Sequence, residues 1–201
     1  MTHDITDLDS LHALYGTPGR ASLDKVATRL TPLYRRWIEA ARFCILSTVG
    51  PEGTDASLRG DDGPVIFELA PDRLALPDWR GNNRLDSLCN IVRDPRVSLM
   101  FMVPGSANVV RVNGRATLTT DPDLITRFEQ KGRHPTTVII VETEEIYTQC
   151  ARAILRAKLW DDTPAPDLPS VGDILAEMTS GGIDGARYDE DWPERAARTM
   201  W

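Results

Sequence analysis

The chain is poor in the residues that most often announce chemistry. Only three of its 201 residues are cysteine and three are histidine. Cys44, Cys89 and Cys150 stand in unrelated contexts with no CxxC pair, which speaks against a disulfide framework and against a zinc site. His3, His12 and His134 are scattered, and His134 lies in the turn Gly132-Arg133-His134-Pro135, where a surface histidine is the ordinary reading. Long hydrophobic runs are missing too. The most apolar stretches, residues 43–46 and 138–141, fall far short of a membrane span. The opening MTHDITDLDS is acidic and polar, unlike a secretory signal, so a cytoplasmic setting is expected. Familiar catalytic motifs are equally lacking: there is no GxSxG elbow, no HExxH and no Walker loop. The cluster Gly181-Gly182-Ile183-Asp184-Gly185 follows a helical pattern instead of leading a strand into a helix, so it reads as a loop and not as a dinucleotide fingerprint.

What remains is an ordinary globular composition, 41% hydrophobic and 26% charged, in a length suited to one domain with a proper core. The net charge of -7 is unevenly placed. From Asp161 onward ten acidic residues face three arginines, which accounts for the whole excess and leaves residues 1–160 neutral. A neutral body with an acidic end lacks the basic stripe of a nucleic-acid binder, yet it leaves room for a local anion site. In that body only Lys25, Lys131 and Lys158 are lysine among twenty basic residues. Such a bias reflects either a compositional habit of the genome or a use of guanidinium chemistry.

Periodicity divides the chain into a helical N-terminal segment over 1–41, a strand-rich body over 42–160 and an acidic extension with a short helix over 161–201. Leu23, Val26, Leu30, Leu33, Tyr34 and Trp37 recur at helical spacing, with Thr31-Pro32 placed to start a helix. Six strand-like runs follow, at 43–49, 65–69, 74–77, 97–103, 109–118 and 138–147, many joined by short turns, which predicts an antiparallel barrel or sandwich. Helices are expected from an N-cap at Asn83, with Leu85, Leu88, Ile91 and Val92 as the apolar stripe, and from Thr120-Asp121-Pro122-Asp123 to Lys131-Gly132. Two more are expected at 149–157 and from Ser170 with Asp173. The acid pairs Asp61-Asp62 and Glu144-Glu145 read as turn and strand-end charges.

One stretch stands apart. The strand 74–77 runs into Asp78-Trp79-Arg80-Gly81-Asn82-Asn83-Arg84 and then directly into a helix. Such a turn gathers backbone N–H groups, the Arg80 and Arg84 guanidinium groups and the Asn82 and Asn83 amides around one point, with the Ser87 hydroxyl one turn further on. This suits a phosphate dianion, although a well-capped helix with solvated arginines has the same signature. Arg59, in Ser57-Leu58-Arg59-Gly60-Asp61, lies where it could join the same anion. Arg156-Ala157-Lys158-Leu159-Trp160 sets a cation beside an aromatic plane.

The order of these pieces resembles the pyridoxamine 5'-phosphate oxidase-like, flavin-nucleotide-binding split-barrel family, in the branch where a helical segment precedes the barrel. The resemblance spans residues 8–165 and rests on Ser57-Leu58-Arg59-Gly60-Asp61, LPDWRGNNRLDSLCNIVRDPRVSLMF from Leu76, VPGSANVVRVNGRATLTTDPDL from Val103 and QCARAILRAKLWD ending at Asp161. It implies a mainly β protein with α elements: a six-stranded antiparallel split barrel with flanking helices, forming a homodimer with FMN at the interface. By similarity, Arg59, Asn82, Asn83, Arg84 and Ser87 hold the phosphate and ribityl chain, while Leu76, Pro77 and Asp78 line the isoalloxazine edge. Lys158 and Trp160 match the end of the family pattern and are expected from the partner subunit. Leu58 and Trp79 stand where the family often has proline, and Ala157 where a small hydroxyl residue is common.

The function this implies is that of an FMN-dependent oxidoreductase with a small-molecule substrate, in which the flavin carries the redox chemistry, so that no triad or metal is needed. A pyridoxamine phosphate oxidase proper would need a second basic cluster for its substrate's phosphate, and none is evident. The alternative is a non-catalytic flavin, deazaflavin or haem binder, since fold alone does not set function. Haem would call for an axial histidine or cysteine in the pocket.

Overall fold

The protein is described by a computed structural model covering residues 3–200. Trp201, which the sequence groups with Trp192 in the acidic extension, lies outside the described residues. Three helices, α1 (Leu8–Tyr15), α2 (Arg20–Asp24) and α3 (Pro32–Ala40), precede the first strand. Of the apolar spacing over 23–37, Leu23 falls in α2, Leu33, Tyr34 and Trp37 fall in α3, and Val26 and Leu30 lie in the connection between them. The α3 start follows local chemistry: the Thr31 hydroxyl accepts from the Tyr34 N–H at 3.4 Å, and Pro32 takes the first turn, where its missing N–H is harmless. Leu30 and Ile38 enter the core, whereas α1 and α2 bury no residue.

The body is built from β1 (Phe43–Gly50), β2 (Gly53–Gly60), β3 (Phe67–Ala70), β4 (Arg73–Asp78), helix α4 (Asp86–Arg93), β5 (Arg96–Met102), β6 (Val109–Thr119), helix α5 (Pro122–Arg127) and β7 (Thr137–Gln149). All the strands join one antiparallel sheet in the order β2-β1-β5-β6-β7-β4-β3. Its interior is filled by alternate residues, among them Cys44, Leu46, Leu99, Phe101, Val110, Val112, Leu74 and Leu76, all buried. The sheet thus curls into a barrel split between β2 at one end and β3 and β4 at the other. The α5 helix covers part of the outside, where Phe128, Leu124 and Ile125 pack on Ala75, Val138 and Ile140.

The structure has seven strands where the sequence pattern predicts six. The added strand is β2. Its alternation is inverted: polar Asp55, Ser57 and Arg59 face inward, opposite buried Thr48, Leu46 and Cys44 of β1, while Leu58 points outward and is 70% exposed. A pattern read for apolar faces turned to a core passes over such a strand.

Three further differences concern ends of elements. The α5 helix closes at Arg127, and Lys131-Gly132 forms a separate turn with positive φ at both residues. The β7 strand continues to Gln149, so Glu144 and Glu145 lie within it and helix α6 (Arg152–Ala157) starts later than expected. The acidic extension is largely helical, with α7 (Val171–Met178) and α8 (Gly185–Thr199). The expected start at Ser170 and Asp173 is a reciprocal capping box. Helix α8 tolerates Pro193 in its interior and packs on α7 through backbone contact. A Cβ at Gly172 would lie 2.1 Å from the Gly185 carbonyl oxygen, and the Gly172 N–H donates to Asp189 Oδ1 at 3.0 Å. Among the described residues no helix is long and apolar enough to cross a membrane.

Candidate functional site

Where the two ends of the sheet meet, β2 and β4 do not hydrogen-bond as strands. They are joined instead by side chains: Arg59 of β2 pairs with Asp78 at the end of β4, and the Trp79 indole N–H donates to Asp61 Oδ2 at 2.8 Å. Gln130 reaches the other oxygen of the same carboxylate at 3.3 Å. The seam opens into a cleft of about 700 Å³, within the usual size of a small-molecule site.

The floor of the cleft is set by α4. Asn90, on the buried face of that helix, donates to Thr48 Oγ1 at 3.1 Å. The approach is close enough that a Cβ on Gly50 would fall 2.1 Å from Asn90 Oδ1, so a side chain there would displace the Asn90 amide from its place beside Thr48. This contact aims the α4 N-terminus at the cleft. The helix does not start as the sequence suggests. Its N-cap is Leu85, in the left-handed region at φ 61°, and not Asn83, which is itself left-handed at φ 59°. No side chain caps α4, and Asn82 instead accepts from the Arg84 N–H at 3.1 Å in a turn of its own. The orphan N–H groups of the first helical turn are thus free to meet an anion.

Nine of the eleven residues selected from sequence line this cleft: Arg59, Leu76, Pro77, Asp78, Arg80, Asn82, Asn83, Arg84 and Ser87. Leu76 is buried in its wall, and Ser87 is only 4% exposed. Lys158 and Trp160 do not line it. Lys158 ends α6 in the left-handed region at φ 51°, and the Trp160 indole N–H donates to the Ser106 carbonyl at 2.6 Å, away from the seam.

Sequence reasoning missed further groups that line the cleft. Asp55 accepts from Ser87 Oγ at 2.5 Å. Thr137 opens β7 beside Asp78, and its buried hydroxyl has no hydrogen-bond partner among the described residues. Met200, at the end of α8, brings the C-terminal extension to the same rim. Asp55 and Ser57 were concealed by the inverted alternation of β2, while Thr137 and Met200 carry no local signal and arrive by folding.

The lining holds three arginines and four carboxylates. Asp78 takes Arg59, Asp86 takes Arg84 at 2.5 Å, and Asp61 takes Trp79, which leaves Arg80 as the arginine without an ion pair among the described residues. The arginines differ in confinement: the Arg59 side chain is 18% exposed and that of Arg84 is 78% exposed. No histidine or cysteine lines the cleft among the described residues, and no cluster there could hold a metal ion. Cys44 lies behind Arg59 in the core, where burial pushes its thiol up to about 12 despite that neighbouring cation.

The residues fit a phosphorylated flavin. An uncapped helix N-terminus with its free N–H groups and the arginine Arg80, without an ion pair among the described residues, suit the phosphate end, and the apolar Leu76-Pro77 wall with the Thr137 hydroxyl suits a flat ring with polar edges.

Comparison with known proteins gives a consistent frame. Residues 30–150 match the sequence model of the pyridoxamine 5'-phosphate oxidase family. No curated protein matches the chain. Among solved structures, HupZ of Group A Streptococcus superposes with a TM-score of 0.50 at 13% identity, over 60% of this chain and 94% of that one. A putative pyridoxamine 5'-phosphate oxidase from Lactobacillus delbrueckii gives 0.48 at 20% identity, over 60% and 95%. A pyridoxamine 5'-phosphate oxidase-related, FMN binding protein from Nostoc punctiforme gives 0.43 at 14% identity, over 63% and 87%. At 13% identity the likeness to HupZ concerns the fold alone.

Proposed function

The chain belongs to the pyridoxamine 5'-phosphate oxidase family, and from that premise we propose that it is an FMN-dependent oxidoreductase acting on a small-molecule substrate as a homodimer. The observation that carries this reading is the uncapped N-terminus of α4 opening, with Arg59, Arg80, Arg84 and Ser87, into one cleft. When bound, the flavin supplies electron transfer at its ring. The protein's own residues bind and orient it. Arg59, Asn82, Asn83 and Arg84, with Arg80 beside them, hold the phosphate and ribityl chain by charge-assisted hydrogen bonds, and Ser87 joins them through its backbone N–H, its hydroxyl proton being held by Asp55. Leu76 and Pro77 keep water from one face of the ring, and Asp78 and Thr137 stand at its edge.

The dimer reading is supported by the outer face of the sheet. Leu58, Ile45, Met100, Arg111 and Tyr147 form one cross-strand row over β2, β1, β5, β6 and β7. Leu58 is largely exposed, the Arg111 guanidinium carbon lies 5.4 Å from the centre of the Tyr147 ring, and the buried Arg111 Nε has no hydrogen-bond partner among the described residues. A row of three apolar side chains continued by a cation and an aromatic ring, with one unsatisfied polar atom, suits an isologous contact with a second copy. On this reading Lys158 and Trp160 serve the partner's cleft, where the Lys158 cation would stabilise a reduced, anionic flavin.

The test is the visible spectrum of the purified protein, with bleaching of the flavin band on addition of reductant. A protein without that band, whose apo form takes up no FMN, contradicts the proposal. Iron found in place of flavin would favour the haem-binding alternative, which the lack of histidine and cysteine in the lining disfavours. A flavin that is held but never turns over would mark a non-catalytic binder. Turnover of pyridoxamine phosphate separates the parent activity from others in the family.

A further inference from the structure

Along the floor of the cleft four side chains form one hydrogen-bonded line. Arg59 Nε donates to Ser57 Oγ at 3.3 Å, Ser57 Oγ lies 2.9 Å from Ser87 Oγ, and Ser87 Oγ donates to Asp55 Oδ2 at 2.5 Å. The direction of the middle bond follows from valence. A serine hydroxyl has one proton, and that of Ser87 is committed to the carboxylate, so Ser57 is the donor to Ser87. Each proton in the line therefore points the same way, from Arg59 through Ser57 and Ser87 to Asp55, and the carboxylate is the acceptor on which the line ends.

The arrangement follows from the fold. Asp55, Ser57 and Arg59 alternate along the inward face of β2, so a strand's period of two stacks them, and Ser87 enters between them from the first turn of α4. Arg59 Nη1 is taken by Asp78, so with Nε committed to Ser57 the plane of the guanidinium is fixed at two points and Nη2 is left without a partner among the described residues. A planar fork held in this way loses little freedom on meeting an anion.

We propose that Asp55 is a positioning residue that acts through Ser87 and Ser57 to aim the Arg59 guanidinium at the phosphate of the bound nucleotide. The inference rests on the flavin reading above and adds to it a residue that does not itself face the ligand's charge with a donor. A carboxylate at a phosphate site would otherwise only repel, and its commitment to Ser87 is what gives it a use there.

The test compares FMN with riboflavin, which lacks the phosphate, in fluorescence titrations of the apoprotein. Asp55→Ala is expected to weaken FMN binding at least tenfold while riboflavin affinity changes less than twofold. Asp55→Asn, whose amide oxygen can still accept from Ser87, is expected to restore FMN affinity to within about threefold of the starting protein. On an Arg59→Ala background, Asp55→Ala should add no further loss. Equal losses for FMN and riboflavin, or additive losses of the two variants, would overturn the proposal. A second arm needs no flavin: the Arg59 Nε–H signal of the apoprotein should be protected from solvent exchange, lose protection in Asp55→Ala and regain it in Asp55→Asn. If that signal is indifferent to Asp55, the relay is wrong. If it responds while the protein binds neither flavin, the relay stands and the flavin reading falls.

Discussion

Arg59 and Arg84 both face the cleft but are held differently, and the difference sets what their removal should do. Arg59 is largely buried and fixed by Ser57 and Asp78, whereas Arg84 is mostly exposed and pairs with Asp86 beside it. Losing a preorganised charge-assisted contact weakens binding by about 1.5 to 3 kcal/mol, about 10- to 150-fold. Arg59→Ala is expected to fall in that range for FMN. Arg84→Ala should do less, because an exposed, neighbour-paired guanidinium gains little from one more partner. Isothermal titration of both variants orders them, and an Arg84 effect larger than that of Arg59 would contradict this placement of the phosphate. The cysteines give a second residue-scale prediction. Cys44 is fully buried with its thiol raised to about 12, while Cys89 and Cys150 are exposed. Iodoacetamide at neutral pH should modify Cys89 and Cys150 in the folded protein and reach Cys44 only after denaturation, as peptide mass mapping would show.

Elements that bury apolar faces were legible in the sequence, and those that serve the cleft were legible only in part. The α3 start at Thr31-Pro32 and the α7 capping box are local events that three or four residues specify. Strand β2 escaped notice because its inward face is polar, which makes sense only once that face is seen to line a cleft instead of a core. The cap of α4 was misplaced for a related reason: Asn82 and Asn83 have the composition of a cap, but the chain turns through two left-handed residues and leaves the helix end open. Helix α8 was concealed by Pro193 and by its acidity, and it is held by the Gly172–Gly185 contact with α7, which no local pattern encodes. At this scale the junction of α3 with β3 makes a pH prediction. Arg35 hydrogen-bonds Glu68 and holds its carboxyl below the ordinary carboxylate value, against the opposing effect of burial. Arg96 likewise holds Asp94 down to about 2. Depressed carboxylates contribute stability that is fully present above their unfolded values and is lost as pH falls through the folded ones. The protein should therefore lose stability below about pH 4.5, toward pH 2. Denaturant titrations should show a shallower acid loss in Glu68→Gln, and an unchanged slope would mean that the pair contributes nothing.

For the whole molecule, the proposed dimer takes the barrel seam, the exposed Leu58 and the distance of Lys158 and Trp160 from that seam together, as a cleft built in each chain and completed by a second. Flavin retention should then follow the oligomeric state. Dilution that yields monomers in sedimentation should release FMN, and Leu58→Arg, which places a charge in the outer row, should do both at concentrations where the unaltered protein stays paired. A monomer that keeps its flavin would leave the single-chain cleft standing and remove the shared one. The C-terminal extension belongs to this scale as well, since Met200 reaches the cleft rim. The central claim is that this cleft binds FMN by its phosphate. It is tested most directly by titrating the apoprotein and its Arg59→Ala variant with FMN while following flavin fluorescence. Saturable quenching by the unaltered protein that weakens at least tenfold in the variant is the expected result. No quenching, or equal quenching by both, would contradict the claim.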